Sequence, residues 1–445
     1  MENNLYDVVI IGSATSGAWL ARSLAEKGRK VKVIEKLSEE KLGRRLDIFH
    51  VAKREFERFG LPEVREGDAE WAFSFDETLT SSPYNRHPKV TRDTIVGMHM
   101  AEYILLMNKY ARDAGAEIEY SAPFNSFILE DGVIKGVNYG EDKSVYAKVV
   151  IDCSGVDSVA RRALPENYGV ETFEVTPEDK FYVILRYVKF LGEKPALNGW
   201  PYYKTWLAPC ADPDGAIIGI GACHSYEYAE EIYAQFEKDI EIPPYELTRI
   251  ERGTTPYTRP PFSFVGDNFV VSGDAGCLTK PNNGEGVTSS MVHLEIVSDV
   301  VDKALSSGNT TKEALWEINV EYNKKQGADF ASPRAILTEA VTATRDEFEL
   351  FFEKDVIFNE KFLNGVAESP EIKMNFGDIF GIVKGVLGGL ISKRLSWKTV
   401  KALVEGISLG GQLKAHYLLF PKTPEKYNEW AVRAGDLWNR VGKMK

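Results

Sequence analysis

Tyr6-Asp7-Val8-Val9-Ile10-Ile11-Gly12-Ser13-Ala14-Thr15-Ser16-Gly17 is where the chain's architecture starts to be legible. Tyr6 to Ile11 reads as a buried parallel strand, rich in β-branched residues and ended by glycine. Gly17, Leu20, Ala21, Leu24 and Ala25 then recur at helical spacing, and Lys27-Gly28 closes the helix. Val31 to Ile34 is a second strand, ended by Glu35. Together they make a βαβ unit whose turn follows G-x-G-x-x-G, with Ala14 at the middle glycine. Gly12 makes the tight turn, and Gly17 lets helix and strand approach. The helix start offers free N–H groups and a positive dipole end to a pyrophosphate. Glu35, 23 residues after Gly12, stands where ribose hydroxyls are held. The expected dinucleotide contacts are Gly12, Ser13, Ala14, Thr15, Ser16, Gly17, Glu35 and Lys36.

Composition sets the frame. The 445 residues allow two to four domains, and 44% hydrophobic with 27% charged residues is globular usage. The net charge of −12 argues against a nucleic-acid partner, which needs a basic face. Cys153, Cys210, Cys223 and Cys277 are widely spaced, which speaks against a disulfide framework and for a reducing, cytoplasmic location. The six histidines have no metal-ligand spacing. No targeting signal opens the chain, and no apolar run reaches membrane-spanning length.

Two later strands select the dinucleotide. Lys148 to Cys153 runs into Asp152-x-x-Gly155, and Asn268 to Ser272 runs into Gly273-Asp274-Ala275-Gly276. Pro281-Asn282-Asn283-Gly284-Glu285-Gly286 follows, then a helix from about Val287 to Leu305. Asp274 is placed to accept from a polyol hydroxyl. The amides of Gly284 to Val287 open a helix, where they suit negative charge on a reduced isoalloxazine. The three motifs, in this order, resemble the FAD-dependent para-hydroxybenzoate-hydroxylase-like fold. No second G-x-G-x-x-G unit points to a separate NADPH domain.

Within that fold the chain is similar to the geranylgeranyl reductase family. The Gly273-Asp274 and Pro281-x-x-Gly284-x-Gly286 segments carry the resemblance, with Thr258-Arg259-Pro260-Pro261 before them. Tyr203-Lys204-Thr205-Trp206-Leu207-Ala208-Pro209 is similar to that family's Tyr-x-Trp-x-Phe-Pro strand. In this chain Tyr203 is one residue further from Trp206, and Ala208 replaces the phenylalanine. The loop after the second strand reads Gly43-Arg44-Arg45-Leu46-Asp47, with Asp47 near the place of the family's Cys-Gly pair.

The resemblance implies an α/β fold with three parts. A Rossmann-like FAD-binding domain takes residues 1–70, 95–165 and 255–305. An antiparallel-sheet substrate domain takes 71–94 and 166–254, and a C-terminal helical region takes 306–445. It implies FAD contacts at Arg45, Asp152, Gly155, Gly273, Asp274, Pro281, Gly284, Glu285, Gly286 and Val287, besides those of the first turn. Tyr203, Trp206 and Asp47 are the expected substrate contacts, and no catalytic acid is assigned. The implied activity is saturation of C=C bonds in a prenyl lipid, such as a geranylgeranyl chain, by hydride from reduced FAD. Electrons come from an external donor, reduced ferredoxin or similar. The alternatives are an FAD monooxygenase of an aromatic or apolar substrate and a lipid-binding protein without turnover.

One helix carries a separate expectation. Ile379, Ile382, Val383, Val386, Leu387, Leu390 and Ile391 share one face, and Gly381, Gly385, Gly388 and Gly389 the other. The bland reading is a buried helix; the functional one is a hydrophobic tunnel or a membrane-docking surface. Lys384, Lys393, Arg394, Lys398 and Lys401 suit an anionic lipid surface, so peripheral contact at the membrane's inner face is the expectation.

Overall fold

The computed structural model describes residues 5–281, 284–340, 343–356, 358–368 and 376–443. Asn282 and Asn283 of the glycine-rich loop and the side chain of Ile379 lie outside the described residues. Two eight-stranded sheets organise the chain.

The first sheet contains β1 (Leu5–Ile11), β2 (Val31–Ile34), β6 (Glu117–Glu119), β7 (Phe124–Glu130), β8 (Val133–Tyr139), β9 (Lys143–Asp152), β15 (Val265–Gly266) and β16 (Phe269–Val271). Its main path runs β15-β16-β9-β1-β2-β6, and the steps from β16 to β6 are parallel. Val8, Val9 and Ile10 are wholly buried, as an apolar central strand covered on both faces should be. Helices α1 (Thr15–Glu26), α2 (Met100–Asp113) and α4 (Val287–Ser307) pack over it, and Ser23 Oγ lies 2.8 Å from Ser298 Oγ where α1 meets α4.

The second sheet contains β3 (Ile48–Ala52), β4 (Trp71–Thr80), β5 (Lys89–His99), β10 (Lys180–Phe190), β11 (Asn198–Trp200), β12 (Thr205–Ala208), β13 (Gly215–Cys223) and β14 (Tyr245–Pro256). The order is β14-β10-β13-β12-β11-β4-β5-β3. β3 falls in the segment expected to belong to the FAD-binding part, yet it pairs with β5 here. β5 likewise runs past the expected boundary at residue 95, to His99. Pairing partners, which lie far away in sequence, decide which sheet a strand joins.

Register gives the two faces of this sheet different characters. Ile184, Val188, Leu207, Ile218 and Ile220 are buried with Phe236 and Tyr233 of α3 (Tyr226–Ile240). The opposite face carries Leu185, Tyr187 and Ile217, packed with Leu46, Ile48, Val183, Trp206 and Ala208.

The C-terminal part is helical: α5 (Ala328–Ala340), α6 (Arg345–Glu353), α7 (Phe376–Ile391), α8 (Trp397–Leu418) and α9 (Tyr427–Lys443) are its longer elements. Leu409, Leu413, Tyr417 and Trp430 join the core of the first sheet. Trp430 meets Phe262 edge-on at 5.6 Å. α7 is apolar on both sides: Ile382 and Val386 pack inward, which splits the single apolar face expected from the sequence. A Cβ at Gly385 would lie 2.6 Å from Val356, and one at Gly389 2.7 Å from Leu350, so these glycines face the protein. Phe380, Val383, Leu387 and Ile391 face outward.

Candidate cofactor and active site

The first turn is built by close approach. Gly12 has φ +99°, and a Cβ there would sit 2.4 Å from the Cys153 carbonyl oxygen. A Cβ at Gly17 would lie 1.9 Å from Gly12 O. Neither position admits a side chain. Ala14 is the N-cap of α1 and supplies no side-chain hydrogen bond, and no acidic residue occupies the first turn. The amides around Thr15, Ser16 and Gly17 therefore open toward an anion. Ser13 N donates to Glu35 Oε2 and Leu37 N to Glu35 Oε1, both at 2.9 Å. Glu35 is thus fixed beside the turn, while Lys36 is exposed. Asn108, buried on α2, donates to Ser13 O at 2.9 Å and holds the loop from behind. An Asn on a helix far along the chain carries no local signal, so sequence reading missed it.

The second and third motifs meet the first. Asp152 is fully buried. Its carboxylate accepts from Ser154 N (2.9 Å) and Arg161 N (2.7 Å), so it shapes the turn to Gly155 from inside the chain. Gly155 takes φ +84°. Arg161, also fully buried, donates to Ala275 O, Glu171 O and Phe173 O, each at 3.0 Å. This arginine clamps the Asp152 turn to the Gly273 turn, a role with no sequence signature. A Cβ at Gly273 would lie 2.7 Å from Ser16 Oγ, so the Gly-Asp turn touches the start of α1.

Among the described residues Asp274 has one long hydrogen bond, from Thr279 Oγ1 at 3.4 Å. Burial pushes its carboxyl up to about 6, against the lowering effect of Thr279. A Cβ at Gly286 would stand 3.3 Å from Asp274 Oδ1, which brings the Pro281–Val287 segment alongside. Pro281 O accepts from Tyr257 at 3.1 Å. The amides expected to be open between Gly284 and Val287 are partly used. Gly284 N donates to Lys280 O at 3.0 Å, because the loop closes on itself. Glu285 Oε1 accepts from Thr288 N at 2.8 Å and caps α4.

Asp47 is tied into a charged network. His99 Nδ1 lies 2.9 Å from its Oδ1, and Arg249 Nη2 2.9 Å from its Oδ2. Burial raises its carboxyl, but these hydrogen bonds outweigh it, and the net shift is downward. Arg45 Nε donates to Arg252 O at 3.2 Å, which ties the same loop to β14.

The structure separates the two aromatic residues expected to work together. Tyr203 is buried against α3, its hydroxyl donating to Asp239 at 2.6 Å. Trp206 lies on the other face, its ring across Gly219, where a Cβ would come within 2.1 Å of it. Tyr203 belongs to the turn that precedes β12, closed by Tyr203 N on Trp200 O at 3.1 Å, whereas Trp206 is on the strand itself, so the turn aims the two side chains apart. Phe181 lies over Gly221 and Leu46 over Gly253 on the Trp206 side. From this side Thr255 Oγ1 reaches Thr279 Oγ1 at 2.7 Å. An apolar, glycine-backed wall therefore faces the Asp274–Val287 segment.

A family model, that of the FAD binding domain, matches residues 5–199. The chain is an FAD-dependent oxidoreductase. Its cofactor is FAD, and the residues fit that group: an uncapped helix start, a carboxylate beside it, a buried Ser13 hydroxyl without a partner among the described residues, and an Asp274 lacking a strong donor. The chain is 23% identical to a digeranylgeranylglycerophospholipid reductase of Sulfolobus acidocaldarius, covering all of this chain and 99% of that one. A protein of the same name from Methanocella arvoryzae is 25% identical over 77% of this chain and 88% of its own. Among solved structures, a geranylgeranyl bacteriochlorophyll reductase-like protein from Thermoplasma acidophilum superposes with TM-score 0.62 at 16% identity, covering 98% and 99% of the two chains. A flavin-dependent brominase superposes with TM-score 0.63 at 16% identity, over 87% of this chain and all of that one. These two likenesses show the fold that this oxidoreductase shares.

Proposed function

We propose that this flavoprotein saturates isolated C=C bonds of a geranylgeranyl-type lipid, as the names of its full-length relatives suggest. The observation that carries the reading is the apolar wall of Trp206, Phe181 and Leu46, which faces the Asp274–Val287 segment across the Thr255–Thr279 contact. FAD, when bound, supplies the hydride. The residues of the chain bind, orient and exclude water. The amides at Thr15–Gly17 take the pyrophosphate, Glu35 the ribose, and Asp274 the ribityl hydroxyls. Asp152 and Gly155 shape the turn beside them. Trp206 and its neighbours lay the alkene against the cofactor, which is positioning catalysis for a poor hydride acceptor. Asp47, held by His99 and Arg249, marks the polar edge of this space. Electrons enter from an external donor such as reduced ferredoxin, and peripheral contact with a membrane delivers the lipid.

The test is anaerobic. The reduced protein's flavin absorbance is followed after a geranylgeranyl lipid is added. The proposal expects the oxidised spectrum to return with the lipid and without oxygen. Reoxidation by air alone overturns it in favour of a monooxygenase.

A further inference from the structure

The outward face of α7 and the turn after it are built to meet a lipid surface. Phe380, Ile391 and Trp397 are 70%, 83% and 74% exposed, and Val383 and Leu387 are exposed beside them. On α7 these residues recur every three to four positions, so they form one stripe rather than scattered exceptions. The helix turns Gly385 and Gly389 inward, against Val356 and Leu350, with Ile382 and Val386 packed beside them, and still carries Phe380, Val383, Leu387 and Ile391 on the outside. A helix docked only on its own protein would turn a polar side, not a second apolar stripe, to water. A contiguous apolar stripe of this kind marks an interaction site.

Charge identifies the partner. Between Ile379 and Val404 the chain has five basic residues, Lys384, Lys393, Arg394, Lys398 and Lys401, and no acidic one, in a protein of net charge −12. Arg394 pairs with Glu353 at 2.6 Å, and Lys401 lies 3.8 Å from Glu405. Lys384, Lys393 and Lys398 are exposed and have no ion-pair partner among the described residues. Lys384 lies within the apolar stripe, and Lys393 and Lys398 flank its end at Trp397. Exposed aliphatic and aromatic side chains interleaved with lysines fit the boundary between acyl chains and anionic headgroups. No described helix is long and apolar enough to cross a membrane, so the contact is interfacial.

We propose that the outward face of α7, continued through Lys393–Lys401, docks this protein on an anionic lipid bilayer. The proposal rests on the prenyl-lipid reading only in that the bilayer is also the substrate's source. The experiment is sedimentation of the flavin-loaded protein with phosphatidylglycerol vesicles and with phosphatidylcholine vesicles. The protein is expected to pellet with the first, less so at high salt, and to stay in solution with the second. K384E/K393E/K398E and L387S/I391S should each lower vesicle partitioning roughly tenfold or more, with flavin content and melting temperature unchanged. Both variants should keep their activity on detergent-dispersed geranylgeranyl lipid. Failure to pellet with phosphatidylglycerol overturns the proposal, as does equal pelleting with phosphatidylcholine. A dimer in solution that L387S/I391S dissolves also overturns it, assigning the face to a second copy. Vesicle binding without lipid reduction upholds the docking face and removes the substrate reading instead.

Discussion

Among the described residues Asp274 receives one hydrogen bond, from Thr279 at 3.4 Å, and burial lifts its carboxyl to about 6. A ribityl hydroxyl donating to it favours the ionised form. FAD binding should therefore release protons, and affinity should rise as the pH passes upward through 6. Calorimetry in buffers of different ionisation enthalpy measures this release; D274N should abolish it and weaken FAD binding by about tenfold. Gly17 gives a sharper test. Its Cβ would stand 1.9 Å from Gly12 O, so G17A must displace α1 from β1. The expected outcome is a protein that loses flavin on gel filtration, read from its absorbance.

At the scale of elements, β13 and α6 carry the informative tests. Trp206 lies flat on Gly219 because β13 offers no side chain there. In G219A the indole must move, while the FAD motifs, on other elements, stay in place. Flavin content should be unchanged and the KM for the lipid should rise more than kcat falls. Equal loss of bound flavin would show that Trp206 braces the cofactor segment instead. On α6, Glu347 completes a capping box with Thr344. Its carboxylate also accepts from Ser396 N at 2.8 Å and from Thr399 Oγ1 at 2.9 Å, which fastens the turn between α7 and α8. Burial raises its carboxyl, but those hydrogen bonds dominate and hold it at about 2. E347Q should cost about 2 kcal/mol in denaturant unfolding at neutral pH.

Stability of the whole molecule should be lost on the acid side in two stages. His293 is fully buried between Phe264 and Tyr322, with Nδ1 on Ser272 at 2.8 Å, and burial lowers it to about 3. The unfolded chain then binds the proton that the folded one refuses, so stability falls as pH drops from about 6.5 toward 3. Glu347 and Asp47 have depressed folded values. Their contributions are complete above the ordinary carboxylate range and fade only below it. Chemical unfolding across pH 3–7 should show the first stage, and H293F should make it shallower without removing it, because burial lowers His50 and His416 as well.

The βαβ unit was legible because its signals are local. β-branched runs, a 3.6-residue apolar repeat and turn glycines act within about 30 residues, and those steric demands leave few choices. The FAD motifs were legible for the same reason, each being a strand running directly into a turn. Tertiary structure alone decided the rest. It set Tyr203 and Trp206 on opposite faces, because Tyr203 falls in the turn before β12 while Trp206 is fixed by the pairing of β12 with β13, which lies further off in sequence. It turned Asp152 inward to serve Arg161 and the turn, and it recruited Asn108 and Arg161, since a buried donor finds whichever carbonyls the packed chain brings near. It also chose which face of α7 points outward. Periodicity suggests one apolar side and one glycine side; the shape of the neighbouring Leu350–Val356 surface instead set Ile382 and Val386 inward with Gly385 and Gly389 and left Val383, Leu387 and Ile391 outside.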